Sequence, residues 1–403
     1  MRKNMYLKIW CKKESILFSL LLFPFFEPML FGLLESNGIN THIWKTIGNI
    51  FLASRVSVIF ISLFLFVKML IQRKHLFDNA IICLIINILL WGASSFFNRS
   101  GDIKLWANVF QNIGFIIVCI VLLNSSSKCF FQASILLFGS LTIVGALSIF
   151  FHPLGYFSAR TTNEAFYFLG GKNGSFPYYF FFFYSKILYD LIWKKEKPKM
   201  YFWLLLTITA AGICKSANSI ICLLMILLCL MLLNSPKLLI NSINPVFIFS
   251  IVVAFITMLY VGNVVDPLRN ILNYFGKNDT FSGRDILWAQ AFHYIISSPF
   301  WGVGNNAVFI LRDLRDAGHA HSQYLHRLSL YGIIPFVFFV ISIMIVLRKD
   351  SPILDKPIAN TIKLLFIVYL FHMAFDTYPY YFPILLIMMG NASLNYEISA
   401  IKE

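Results

Sequence analysis

Apolar runs of about twenty residues follow one another along this chain, parted by short turns that carry lysine and arginine. A helix needs about 17–25 apolar residues to cross a bilayer. Within hydrocarbon, a helix is the form in which a single segment bonds all its own N–H and C=O groups. The recurrence therefore points to a bundle of membrane-spanning helices. Twelve are expected, at 16–34, 50–71, 79–97, 105–123, 130–151, 176–193, 200–214, 216–233, 243–263, 323–347, 361–376 and 381–397. The pair 200–214 and 216–233 is the least secure, because Lys215 and Ser216 alone separate them. Composition agrees: 59% of the residues are hydrophobic and 13% charged, against about 25% charged in soluble domains.

The formal charge of +15 comes from 33 Lys+Arg and 18 Asp+Glu. Its placement excludes a nucleic-acid reading, since the cations sit in small clusters between spans. Five of them precede the first span, and further ones recur in alternate loops at Arg73 and Lys74, Lys128, Lys194 to Lys199, Lys237, and Arg348 to Lys363. By the positive-inside rule these loops are cytoplasmic, which puts both termini inside. The basic N-terminus leads into a retained first span, interrupted by Pro24, Glu27 and Pro28. The seven cysteines lack C-x-x-C spacing and read as free packing residues. The Phe-rich run Tyr178–Tyr184 reads as lipid-facing packing rather than a stacking platform for a ligand.

Three regions follow: 1–263 with nine spans and a shorter external loop at 152–175, a long external loop at 264–322, and 323–403 with the last three spans. Loops longer than about 12–15 residues are usually functional or disordered, and the cytoplasmic loops are too short for a nucleotide-binding domain. Chemistry is expected outside. Residues 264–328 hold six Lys+Arg and five acids, together with four of the eight histidines, so functional groups are concentrated there while net charge is not.

Within this loop Ser282-Gly283-Arg284-Asp285 opens a helical pattern with Trp288, Phe292 and Ile295 on one face, suited to resting on the membrane surface. The free N–H groups of its first turn and the Arg284 fork would suit an anion such as pyrophosphate. That Arg284 pairs with a lipid headgroup or a nearby acid is equally open on spacing alone. Pro299 ends the pattern, and Gly302-Val303-Gly304 reads as a tight turn rather than a phosphate loop. His321 then stands at the mouth of a span, and in a helix would share a face with Tyr324, Leu325 and Leu328. A histidine there is suited to taking a proton from a hydroxyl near neutral pH, against the plain alternative of a surface histidine. A metal site is disfavoured: His319 and His321 would diverge on a helix, and Asp313 and Asp316 do not form D-x-D.

At these residues the chain resembles the O-antigen ligase and polymerase superfamily, polytopic enzymes that join lipid-linked glycans outside the inner membrane. The likeness lies in Gly283-Arg284 with Trp288, Pro299 with Gly302 and Gly304, His321-Ser322-Gln323-Tyr324-Leu325, and Tyr331-Gly332-Ile333. About fifty residues match in order; the first nine spans add only topology. The resemblance implies an all-α polytopic inner-membrane protein of about 12 transmembrane helices, with one long periplasmic loop carrying short amphipathic helices and the active site on that face. It implies a metal-independent glycosyltransferase without cofactor, acting on undecaprenyl-diphosphate-linked oligosaccharide among membrane lipids. A chain-length regulator protein is a further candidate partner.

By the same resemblance His321 activates the acceptor hydroxyl, Arg284 holds the diphosphate, and Tyr324 contacts substrate. Arg160, eleven positions before Gly171, fits the R-x10-G pattern of the polymerase branch. Ser322 replaces the usual Asn after the histidine. Lys215-Ser216 stands where relatives often carry Ser-Arg, which makes Lys215 a substitute cation near the diphosphate. The expected function is O-antigen repeat-unit polymerase, with O-antigen ligase as the alternative and a lipid-linked-glycan flippase as the reading from another class. For the flippase, Glu27, Arg55 and Lys186 are the charges within spans.

Overall fold

The computed structural model describes residues 2–28, 41–72, 77–98, 103–158, 165–234, 237–261, 284–304, 307–310, 317–351 and 354–395. Helices dominate: α1 (Arg2–Leu22), α2 (Thr41–Ile71), α3 (Asn79–Phe97), α4 (Ile103–Phe151), α5 (Phe176–Tyr189), α6 (Tyr201–Ile213), α7 (Ala217–Asn234), α8 (Lys237–Ser242), α9 (Pro245–Val261), α10 (Arg284–Ser297), α11 (Gln323–Tyr331), α12 (Ile333–Arg348), α13 (Lys356–Met373) and α14 (Tyr381–Leu394). Among the described residues, three helical stretches are long and apolar enough to cross a membrane: His42–Ile71, Asn79–Phe97 and Leu105–Phe151. Five shorter apolar helices accompany them, α6, α7, α9, α12 and α14.

Several helix boundaries have a local cause. Asp78 caps α3, its carboxylate accepting the Ala80 N–H at 3.0 Å. In α4 two expected spans run together, joined at Ser126, whose backbone is extended (φ −162°, ψ 106°). The Ser126 hydroxyl accepts the Cys129 N–H at 3.3 Å, so it acts as the N-cap of the second half. Its neighbours Asn124, Ser125 and Ser127 bond back to carbonyls one turn earlier, as short polar side chains do where they compete with the ladder. The α6–α7 turn closes on two bonds, Ser216 N–H to the Ala211 carbonyl at 2.9 Å and Lys215 N–H to that of Gly212 at 3.0 Å. This is a Schellman cap, with Lys215 at φ 53° where glycine is usual.

Three expectations need refinement or correction. First, the expected 152–175 loop carries short strands: β1 (Phe157–Ser158), β2 (Ala165–Tyr167) and β3 (Gly170–Gly171) form an antiparallel sheet in that order. Phe166 stands opposite both Phe157 and Gly171. Strands of two or three residues are too short to leave an alternating pattern in the sequence. Second, Tyr178–Tyr184 faces protein, not lipid. Tyr178, Tyr179, Phe180, Phe181, Phe183 and Tyr184 are each no more than 1% exposed, because α5 is enclosed between α4 and α13. Hydropathy cannot distinguish these environments, as lipid tails are as apolar as a packed core.

Third, the expected span 323–347 is broken. Gly332 (φ 79°) ends α11 and starts α12. A Cβ there would lie 2.3 Å from the Phe300 carbonyl oxygen, and one on Gly302 2.4 Å from that of Leu330. The two glycines let the 299–302 turn lie flat on the helix junction. Ile333 N–H then reaches the Pro299 carbonyl at 2.8 Å, and Val303 N–H that of Ser329 at 2.9 Å. Gly302-Val303-Gly304 is thus the tight turn expected, with both glycines at φ 66°, and its partner is the Tyr331-Gly332-Ile333 break. We expect Gly332→Ala to destabilise by about 2–4 kcal/mol, combining left-handed strain with overpacking. Thermal unfolding in detergent measures it, and an unchanged midpoint contradicts the packing described.

The segments that the basic-loop alternation assigns to one side bond to one another. Asn98 donates to the Trp301 carbonyl (3.1 Å), Ser216 to Asn173 Oδ1 (2.6 Å), and Tyr378 to the Asn173 carbonyl (3.0 Å). At the opposite end Lys349 bridges Asp78 (2.5 Å) and Asn391 (2.8 Å).

Candidate active site

The site forms where α10, α11 and the α13–α14 turn meet. α10 begins at Arg284 and buries Leu287, Trp288 and Ala291. These join Ile256 and Leu259 of α9, Leu325 of α11, Ala374 and Phe375 in one apolar cluster. The helix therefore rests on protein along that face, where the sequence suggested the membrane surface. Trp288 also meets the Tyr260 ring edge-on at 4.8 Å. Ser282, which opens the expected helical pattern, lies outside the described residues.

α11 starts two residues later than a helix containing His321 would. Ser322 is its N-cap, with its hydroxyl accepting the Leu325 N–H at 3.3 Å. The same hydroxyl lies 2.7 Å from that of Tyr260, which donates to the Ala374 carbonyl at 2.6 Å. Serine in place of asparagine changes little here because both are strong N-caps. His321 is left just outside the helix in left-handed backbone (φ 48°). Such a conformation costs a residue bearing a Cβ about 1–2 kcal/mol and persists where the surroundings enforce it. Here the Gln323 N–H is bonded to the Asp376 carbonyl at 3.0 Å, and the Tyr378 N–H to Gln323 Oε1 at 3.0 Å.

This clasp brings His321 to Asp376, a residue the sequence reading passed over. His321 Nδ1 stands 3.8 Å from Asp376 Oδ1, with the imidazole 33% and the carboxylate 11% exposed. That is an ion-pair distance for a protonated ring and too long for a hydrogen bond. The other carboxylate oxygen accepts from the Tyr378 hydroxyl at 3.2 Å, and Oδ1 accepts the Thr377 N–H at 2.9 Å. Burial works to raise the Asp376 pKa. The interaction with His321 and the charge of Arg284, joined by those of His321 and His319 when their rings are protonated, outweigh it and hold the carboxyl below the ordinary carboxylate range. Asp376 therefore favours its anionic form, and the charge of Arg284 acts on it.

The remaining expected residues divide. Lys215 is exposed at the α6–α7 turn, next to Ser216. Through Asn173, Ser216 is linked to Tyr378 and so to the Asp376 turn. The Tyr324 hydroxyl is committed to the Leu370 carbonyl at 2.7 Å, where it ties α11 to α13. Arg160, Asp313 and Asp316 lie outside the described residues. The signal that could have exposed Asp376 was an acid at the edge of an apolar run, in a chain with 18 acids in all.

The arrangement offers a ring nitrogen, Nε2, able to take a proton while Nδ1 faces the Asp376 carboxylate, and an arginine whose charge reaches that carboxylate and whose guanidinium suits a polyanion. No curated protein matches the chain. Residues 201–340 match the family model described as O-Antigen ligase, a segment that holds Lys215, Arg284, His321 and Tyr324. Over that segment the chain is similar to the O-antigen ligase family, in keeping with its apolar helices.

Proposed function

We propose that the chain is an O-antigen repeat-unit polymerase, transferring a growing glycan from an undecaprenyl-diphosphate donor to a hydroxyl of a fresh lipid-linked repeat. The observation that carries this reading is the approach of His321 to Asp376 at one end of the bundle, with the charge of Arg284 acting on the carboxylate and both His321 and Arg284 within the matched segment. The acceptor oxygen forms a bond to the anomeric carbon as the bond from that carbon to the diphosphate oxygen breaks. The hydroxyl proton passes to His321 Nε2, and Asp376 stabilises the resulting imidazolium. Arg284 meets the charge that develops on the leaving diphosphate, with Lys215 and Arg160 as further cations. Lipid diphosphate is already a good leaving group, so this reading needs neither metal nor nucleotide.

In this proposal the protein lies in the bacterial inner membrane, with both termini cytoplasmic and the site on the periplasmic face. A chain-length regulator is a candidate partner. The ligase reading, with lipid A-core as acceptor, shares the donor half of the site and is favoured by the name of the matching family. The flippase reading has less support. Arg55 is paired with Glu27 at 2.7 Å and Lys186 with Asp190, so these charges do not stand open along a pathway.

Deletion in the native host, followed by a lipopolysaccharide gel, tests the proposal. Core bearing a single repeat is the expected result. Bare core would make the protein the ligase, and an unchanged ladder would defeat both readings.

A further inference from the structure

Between its two anchors the turn that carries His321 is also bonded from within. On the upstream side the Ala317 N–H donates to the Phe309 carbonyl at 2.7 Å; on the downstream side lie the Ser322 cap and the Gln323 bond to Asp376. In between, the His321 N–H donates to the side chain of His319, at 3.2 Å from Nδ1. The two rings stand edge to face with centroids 4.4 Å apart and planes at 75°. A side-chain acceptor taking the N–H two residues on is the geometry of an Asx turn, here with imidazole in the place of Asp or Asn. Acceptance at Nδ1 requires the ring proton on Nε2. The residue whose N–H is held is also the one in left-handed backbone, and its ring is the one placed 3.8 Å from Asp376.

We infer that His319 is a positioning residue for the proposed transfer: its Nδ1 fixes the left-handed His321 backbone and so aims the His321 ring between Asp376 and the acceptor hydroxyl. The inference rests on the functional reading above and adds to it a residue with no expected role of its own. Without the acceptor, the His321 N–H loses its partner and the strained backbone can relax toward commoner φ values, which swings the ring away from Asp376. A misplacement of about 1 Å at a reacting group can cost about a hundredfold in rate.

The test uses the full-length protein in proteoliposomes with lipid-diphosphate-linked substrate, comparing wild type with His319→Leu, His319→Asn and His321→Gln. Leucine keeps bulk without an acceptor; asparagine restores one at the same reach. His319→Leu is expected to lower kcat about ten- to hundredfold with KM within about twofold, and His319→Asn to recover kcat to within about threefold of wild type. Hydrogen–deuterium exchange over 317–325 reads the bond independently of activity. It should quicken at His321 in His319→Leu and stay near wild type in His319→Asn. Unchanged exchange in His319→Leu, or equal loss of activity in both His319 variants, overturns the inference. So does a rise in KM with kcat intact, which would make His319 a substrate contact. Full activity in His321→Gln overturns the functional reading instead, whatever the His319 variants show.

Discussion

Replacing His321 by glutamine should lower glycan transfer about 10²–10⁴-fold, the usual contribution of a positioned general base, while membrane content and unfolding temperature stay at wild-type values. Glutamine fills a similar space and can donate and accept hydrogen bonds, but it cannot take up a proton. The imidazole is 33% exposed and 3.8 Å from Asp376, so little packing is lost and the loss falls on chemistry. Measuring elongation of a lipid-linked repeat alongside the melting temperature separates the two. A variant that still makes long chains removes His321 from the mechanism.

Arg284→Ala should be nearly as severe, about 10²–10³-fold in kcat, the scale seen when a preorganised group facing developing charge is removed. Arg284→Lys should recover only part of it, because an ammonium cannot present the paired donors that suit a phosphate. The arginine also acts on the site itself: its charge is among those that hold the Asp376 carboxyl low. A carboxyl with a depressed folded pKa contributes stability above its ordinary pKa and loses it as pH falls through the folded value. Removing Arg284 raises that folded value, so Arg284→Ala should unfold at less acidic pH than wild type. An acid-unfolding curve that coincides with wild type would separate Arg284 from Asp376.

The helical segments were legible because apolar length is written directly into the chain; most of the expected spans coincide with a helix to within a few residues. The break at Gly332 was hidden inside one apolar run, since hydropathy averages over a single glycine. Its cause, the backbone of Phe300 lying 2.3 Å from where a Cβ would be, is a contact between segments some thirty residues apart. Likewise Tyr178–Tyr184 could be recognised as apolar but not assigned to protein or lipid. Arg284 and His321 were visible because their neighbours form an ordered set of motifs. Asp376 was not, because its role depends on the α13–α14 turn folding back on α11, and no local pattern marks that turn. The left-handed backbone at Lys215 was equally hidden, as lysine does not announce such a conformation, and at His321 the residue type is only a weak pointer to it.

The most direct test of the account places purified protein in liposomes with an undecaprenyl-diphosphate-linked repeat present in one leaflet and no energy source. The account predicts that wild type converts the repeat to longer lipid-linked glycans in that leaflet, and that His321→Gln does not. Movement of the intact repeat to the other leaflet without any new glycosidic bond would contradict it.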